Sequence, residues 1–178
     1  MPTEPSHPYP CPQNHGSCPL VDTCLPKNSR LLSCLLMDLP PQVEPEYPIV
    51  NRPLIPQDIR PPFGRYSHGV EAPAGSRFLF TSGQLGISSD DSVPDSIEEQ
   101  AEICFENIRS ILAAGGMELS DIVRLNAFVT KREDMRRYMN VRDRFVTDPL
   151  PASTLYIVTG FTRPEFLVEI EAVAAKVD

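Results

Sequence analysis

The sequence predicts an α+β domain whose sheet is covered on one face by two helices. Two observations carry this. Five short stretches with strand character are interrupted by two stretches of helical periodicity, and glycine or proline clusters punctuate most of the boundaries between them. The resulting order is β-β-α-β-α-β-β, an α+β layer arrangement with hairpins expected at both ends of the chain.

Tyr66–Glu71 and Arg77–Ser82 read as the first two strands, joined by a turn at Ala74-Gly75-Ser76. The first helix has a clear start. Ser96 is a good N-cap and Glu99 stands three residues on, as in a capping box. Ile97, Ala101, Cys104, Phe105, Ile108, Ile111 and Leu112 then recur on one stripe, and Gly115-Gly116 closes the helix. Cys104 lies on that stripe and reads as a buried structural thiol. Ile122–Thr130 alternates as a third strand. A second capping box, Thr130 and Glu133, opens a helix that runs to about Phe145, with Met135, Tyr138, Met139, Val141 and Phe145 as its inner side. Asp148-Pro149-Leu150-Pro151 breaks it. Ser153–Thr159 and Phe166–Ala174 complete the sheet, with a turn over Gly160–Pro164 between them.

The 178 residues divide unevenly. Fifteen of the 20 prolines precede Phe63, and proline removes a backbone donor and fixes φ. Residues 1–61 therefore read as an irregular, proline-rich extension, and residues 62–178 as the domain. Within the extension only Leu31–Met37 is apolar enough for a short helix or docking segment. Four of the five cysteines (Cys11, Cys18, Cys24 and Cys34) fall there too, beside His7 and His15. Their irregular spacing, without a Cys-x-x-Cys pair, argues against zinc, and no metal is expected. No secretory signal and no run near the roughly 20 apolar residues of a membrane span is present, so a cytoplasmic protein without membrane partners is expected. The net charge of -8 repels phosphate backbones. The arginines of the second helical region are interleaved with Glu133, Asp134 and Asp143, as on a salt-bridged, solvated face. Nucleic acid is not an expected partner.

A sheet with helices on one face leaves the other uncovered. Phe128, Tyr156 and Val158 are too apolar for open water, and closed self-association would cover them. Six segments then match one family in order. Arg65-Tyr66-Ser67-His68-Gly69-Val70 resembles the opening motif of the reactive intermediate deaminase (Rid, YjgF-like) family, and Phe80-Thr81-Ser82-Gly83-Gln84-Leu85 its Ser-Gly-Gln turn. Gln100 to Gly115, with Asn107-Ile108, is similar to its first helix, and Asp121-Ile122-Val123 with Phe128-Val129 to its middle strand. Asn140 matches an asparagine of its second helix. Pro151-Ala152 and Glu169-Ile170-Glu171-Ala172-Val173-Ala174 resemble its closing strands. The resemblance implies a chorismate-mutase-like fold, a homotrimer, and small-molecule pockets between subunits. It also implies hydrolysis of enamines and imines to a keto acid and ammonia, without metal or organic cofactor.

Imine hydrolysis needs a donor to polarise C=N and a group to activate water; one carboxyl within hydrogen-bond reach can do both. On the resemblance, Glu169 is the acid/base. Tyr66 closes a pocket wall and offers its hydroxyl. Ser82, Gly83 and Gln84 form the turn, where Gly83 permits close backbone approach. Asn140 is a substrate-orienting candidate. Ser153 departs from the family: deaminating members carry an arginine there that clamps the substrate carboxylate through a bidentate pair. Arg65 and His68, flanking Tyr66, are candidate replacements. The departure leaves several readings open: a deaminase for a substrate other than a small amino-acid-derived carboxylate, an isomerase or cyclase of a specialised pathway, a trimeric binding protein that has lost catalysis, or a scaffold working through its tail.

Overall fold

Ser96 begins the longest helix as its sequence predicts: its Oγ accepts from the Glu99 amide (3.2 Å) and donates to the Glu99 carboxylate (2.6 Å). The computed structural model describes residues 50–178. The expectations for Leu31–Met37, the four N-terminal cysteines, His7 and His15 lie outside the described residues.

Strands β1 (Arg52–Leu54), β2 (Gly69–Glu71), β3 (Arg77–Phe80) and β4 (Gln84–Leu85) lead into helix α1 (Ile97–Ala114). A 3₁₀ turn at Leu119–Asp121 precedes β5 (Ile122–Val129), and a second at Arg132–Asp134 precedes helix α2 (Met135–Phe145). β6 (Ala152–Ile157) and β7 (Val168–Lys176) follow. The main sheet runs β3-β7-β5-β6, with β4 continuing alongside β7.

Both expected hairpins are absent. β2 does not pair with β3; it pairs antiparallel with β1 in a separate ribbon, where Arg52 and Glu71 form an ion pair. β1 lies within the proline-rich stretch, and its Pro53 is tolerable because the ribbon has only two strands. The Pro73–Ser76 turn forms, with the Ser76 amide on Pro73 O, but it carries the chain from one sheet to the other. β6 and β7 do not form a hairpin either. β7 takes the sheet centre, antiparallel to β5 and to β3 and β4, while β6 runs parallel to β5 after crossing over through α2. The centre suits β7, because Val168, Ile170, Ala172 and Ala174 are all buried against the helices and a ladder on each side satisfies its backbone.

The core is the seam between this face and the helices. Ile97, Ala101, Cys104, Phe105, Ile108 and Leu112 of α1 are fully buried against Leu125, Ala127 and Val129 of β5 and the inner face of β7. Burying each Leu, Ile or Phe side chain contributes about 1.5–3 kcal/mol. Phe105 stacks on Phe145 (4.9 Å between centroids) and lies 6.5 Å from Tyr138, which joins α1 to α2. The start of α2 differs from expectation. Thr130 is drawn into the strand ladder through its amide to Leu167 O, a 3₁₀ turn intervenes, and no side chain caps the helix. Met135 is consequently exposed, and Arg142 is buried in its place on the inner side. At the other helix end it is Gly116, not Gly115, that takes the left-handed conformation (φ 70°).

Candidate active site

The face of the sheet away from the helices carries the acidic side chains of β7. Strand alternation places Glu169 and Glu171 of β7 on it, beside Asn126 and Phe128 of β5. These carboxylates differ in commitment. Glu171 accepts from Asn126 Nδ2 (2.8 Å); Arg124 donates to Asn126 Oδ1 (3.1 Å) and Thr154 Oγ1 (3.1 Å), so a polar chain crosses three strands. The Glu169 carboxylate, by contrast, receives no hydrogen bond from any described residue, and the residue is half-buried. It stands opposite Phe128, which stacks on Tyr156 of β6 (5.2 Å, 13° between planes). The acid therefore has an aromatic wall on one side.

On the other side is Gly83. A Cβ built there would lie 1.8 Å from Glu169 Oε1 and 2.6 Å from Cδ. The carboxylate occupies the volume that any side chain at residue 83 would fill. The glycine is required for close approach, as the sequence suggested, but the approaching group is the protein's own acid. The turn around it is tied internally: Gln84 Nε2 donates to Ser82 O (3.1 Å), and Cys104 Sγ, reaching up from α1, donates to Gln84 O (3.1 Å). Burial pushes the Cys104 thiol up to about 12, with the nearby Glu169 charge adding in the same direction. At neutral pH it is a protonated donor and not a nucleophile.

Tyr66 lies in a second group. Ser67 bridges to Ala152 at the start of β6, its amide bonded to Pro151 O (2.9 Å) and its hydroxyl to Leu150 O (2.7 Å). This holds Tyr66 and His68 beside Ser153. Tyr66 makes edge contacts with His68 (6.0 Å) and Phe63 (5.7 Å), and Gly64 seats the chain between Tyr66, Met139 and Arg142. Arg65 is exposed, with Nη2 on Val146 O (3.1 Å); His68 Nε2 is 2.8 Å from Arg60 O. Asn140 is exposed on α2, while its neighbour Met139 packs toward Tyr66.

The structure thus gathers Glu169, Ser82, Gly83 and Gln84 into one group and Tyr66, His68, Arg65 and Ser153 into another. In the parallel register Ser153 stands opposite Leu125, on the helix side of the sheet, whereas Glu169 stands opposite Phe128, on the far side. β5 separates their strands, a lateral gap of roughly 10 Å. Gln100, fully buried under β4, went unread in the sequence, and Arg142, expected on a solvated helix face, is instead buried beside Gly64; Tyr156, expected to need cover, is the stacking partner of Phe128. A polar residue on an apolar helical stripe is the signal that would have found the first two.

Residues 58–176 match the family profile described as Endoribonuclease L-PSP. A 2-iminobutanoate/2-iminopropanoate deaminase of Dermatophagoides farinae is 29% identical over 127 residues, 70% of this chain and 93% of its own length. Among solved structures, a Rid-family protein of unknown function from Yersinia pestis superposes with a TM-score of 0.61 at 26% identity, covering 70% of this chain and 97% of its own. RidA from an Antarctic Psychrobacter superposes at 0.52 with 30% identity, covering 64% and 89%. The profile match, the relatives and the shared architecture agree, and the chain belongs to the Rid (YjgF-like) family.

Proposed function

We propose that this protein hydrolyses a reactive imine or enamine, with Glu169 as acid/base, in a pocket completed by a second copy of the chain. The observation that carries the reading is the Glu169 carboxylate: half-buried, without a hydrogen bond from any described residue, seated on the Gly83 backbone and walled by Phe128 and Tyr156. Such a group is free to serve a ligand. The deaminase from Dermatophagoides farinae supports the reaction class. In it the carboxylic acid gives a proton to the imine nitrogen, water adds to the carbon, and the carbinolamine collapses to a carbonyl compound and ammonia. The nitrogen leaves with the protons that water and the acid supply, and the carboxyl ends as it began.

The two groups of site residues point away from each other within one protomer, so a working pocket draws Glu169 from one subunit and Tyr66 with Ser153 from the next. Exposed Phe78, Phe80 and Tyr156 on the sheet's open face support burial against other copies, and a closed trimer is the assembly we infer. Ser153 supplies no charge, and Tyr66 lies among Phe63, His68 and Met139. The substrate is accordingly larger or more apolar than a small amino-acid-derived imine. Ser153 also favours a second reading, a trimer that binds such a molecule without turning it over. The net charge of -8 opposes cleavage of RNA, whatever the family's description.

Subunit mixing tests the proposal. Glu169→Gln and Tyr66→Ala proteins, each inactive alone in ammonia release from bulky imines, are unfolded and refolded together. Shared sites predict recovery of about a quarter of native activity, the fraction of interfaces carrying both intact halves. No recovery from properly mixed trimers would place each site inside one subunit. A native protein that binds these imines but releases no ammonia would establish the second reading.

A further inference from the structure

Gln100 is a fully buried polar side chain on the apolar stripe of α1. A carboxamide has two donor hydrogens and an acceptor oxygen, and here all are used. Nε2 donates to Pro94 O (2.7 Å) and to Glu165 O (2.8 Å); Oε1 accepts from the Leu167 amide (2.9 Å). These partners close two loops at once. Pro94 ends the segment that leaves β4, and Glu165 and Leu167 end the segment that enters β7.

The same residue is the floor under β4. A Cβ at Gly86 would lie 2.3 Å from Gln100 Cβ and 2.6 Å from its Cα, so the chain leaving β4 rests directly on the helix at this point. One turn further along α1, Cys104 holds Gln84 O. Glu169 follows Leu167 by two residues and pairs with Leu85; Gly83 precedes Gly86 by three. Both strands that meet at the carboxylate are therefore referenced to one helix face, and Gln100 contacts a residue flanking each, Gly86 just after β4 and Leu167 just before β7.

We propose that Gln100 is a positioning residue that sets the distance between the Glu169 carboxylate and the Gly83 backbone. This rests on the reading of Glu169 as the working acid. Gln100→Met keeps the length and volume but removes all three hydrogen bonds. The expected result is a folded trimer in which the Gly83 and Glu169 backbone amide resonances move and kcat falls at least tenfold (fold-change for a small displacement of a catalytic group), with KM changed by less than about twofold. Gln100→Glu is the second variant. It keeps the acceptor for Leu167, and it can donate to one carbonyl only when protonated, so its kcat should recover as pH falls while that of the native protein does not. Asn51→Ala is the control, since Asn51 is buried and bonds Ala175 O (2.9 Å) at the far end of β7, six residues and roughly 20 Å along the strand from Glu169; it should lower stability and leave both resonances and kcat alone. Loss of stability in Gln100→Met with unmoved resonances and unchanged kcat would overturn the proposal and leave Gln100 a structural staple. If the native protein turns over no imine, the resonances alone decide: movement at Gly83 and Glu169 sustains the positioning role, and their constancy ends it.

Discussion

The two groups of site residues are built in opposite ways. The Glu169 group sits where the central strand, β4 and α1 converge, above a fully buried glutamine and a buried thiol. The Tyr66 group sits at the rim, held by the Ser67 bridge to Ala152 and by edge contacts between exposed or half-exposed rings. The first is over-determined by core packing, and the second is held by a few local bonds. On the proposed reading, that division lets the rim change without unsettling the acid.

The largest effect should come from the acid. Glu169→Gln is expected to lower kcat by roughly 10²–10⁴-fold, measured as ammonia release, with the assembly state unchanged. Tyr66→Phe should act chiefly on KM; a Tyr66→Phe protein more damaged in kcat than Glu169→Gln would reverse the roles assigned to the two groups. Next is Gly83→Ala. Its methyl group must evict the carboxylate, a flexible side-chain end, so the fold should stand while activity falls about a hundredfold through misplacement. Unaltered activity would mean that the carboxylate works elsewhere. Ser153→Arg probes the rim: it should raise kcat/KM for 2-iminopropanoate by roughly tenfold, or about 1.4 kcal/mol of added binding, without a change in melting temperature.

The smallest effect concerns the thiol beneath the turn. Cys104 stays protonated in the folded chain up to about 12, against an ordinary value of 9.0. Above pH 9 the unfolded chain loses this proton and the folded chain keeps it, so stability falls with rising pH, by up to about 1.4 kcal/mol per pH unit. Cys104→Ala should flatten the decline between pH 9 and 10 in urea melts. Above pH 10 burial of Tyr138, whose hydroxyl is also pushed up, adds a decline of its own. A slope unchanged in Cys104→Ala would show that the thiol is not held as tightly as its contact with Gln84 O implies.

Much of this was legible in the sequence, for identifiable reasons. α1 announces itself because Ser96, Glu99 and the apolar stripe are local signals. The helix-facing sides of β5 and β7 follow from alternation. Pairing was not legible, because alternation says which face a strand buries and nothing about its neighbour; hence β2 went to β1 and β7 to the centre. Gly83 read as a site of close approach, since only glycine leaves that space, but its partner comes from a strand 86 residues away. Gln100 and Arg142 were hidden because charge and polarity on a helix usually signal solvent, and here they signal satisfied burial.

The position of β7 has a consequence for how the protein is made. β7 is synthesised after every strand with which it pairs, yet β3, β4 and β5 all hydrogen-bond to it. Until it leaves the ribosome, those strands present bare edges, and Leu125, Ala127 and Val129 have no central neighbour. At roughly 5–20 residues per second, the interval is seconds, long enough for unpaired edges to meet other chains. The strand that carries Glu169 is thus also the one that completes the sheet, so a chain cut short before Val168 would lack that carboxylate and be prone to aggregate.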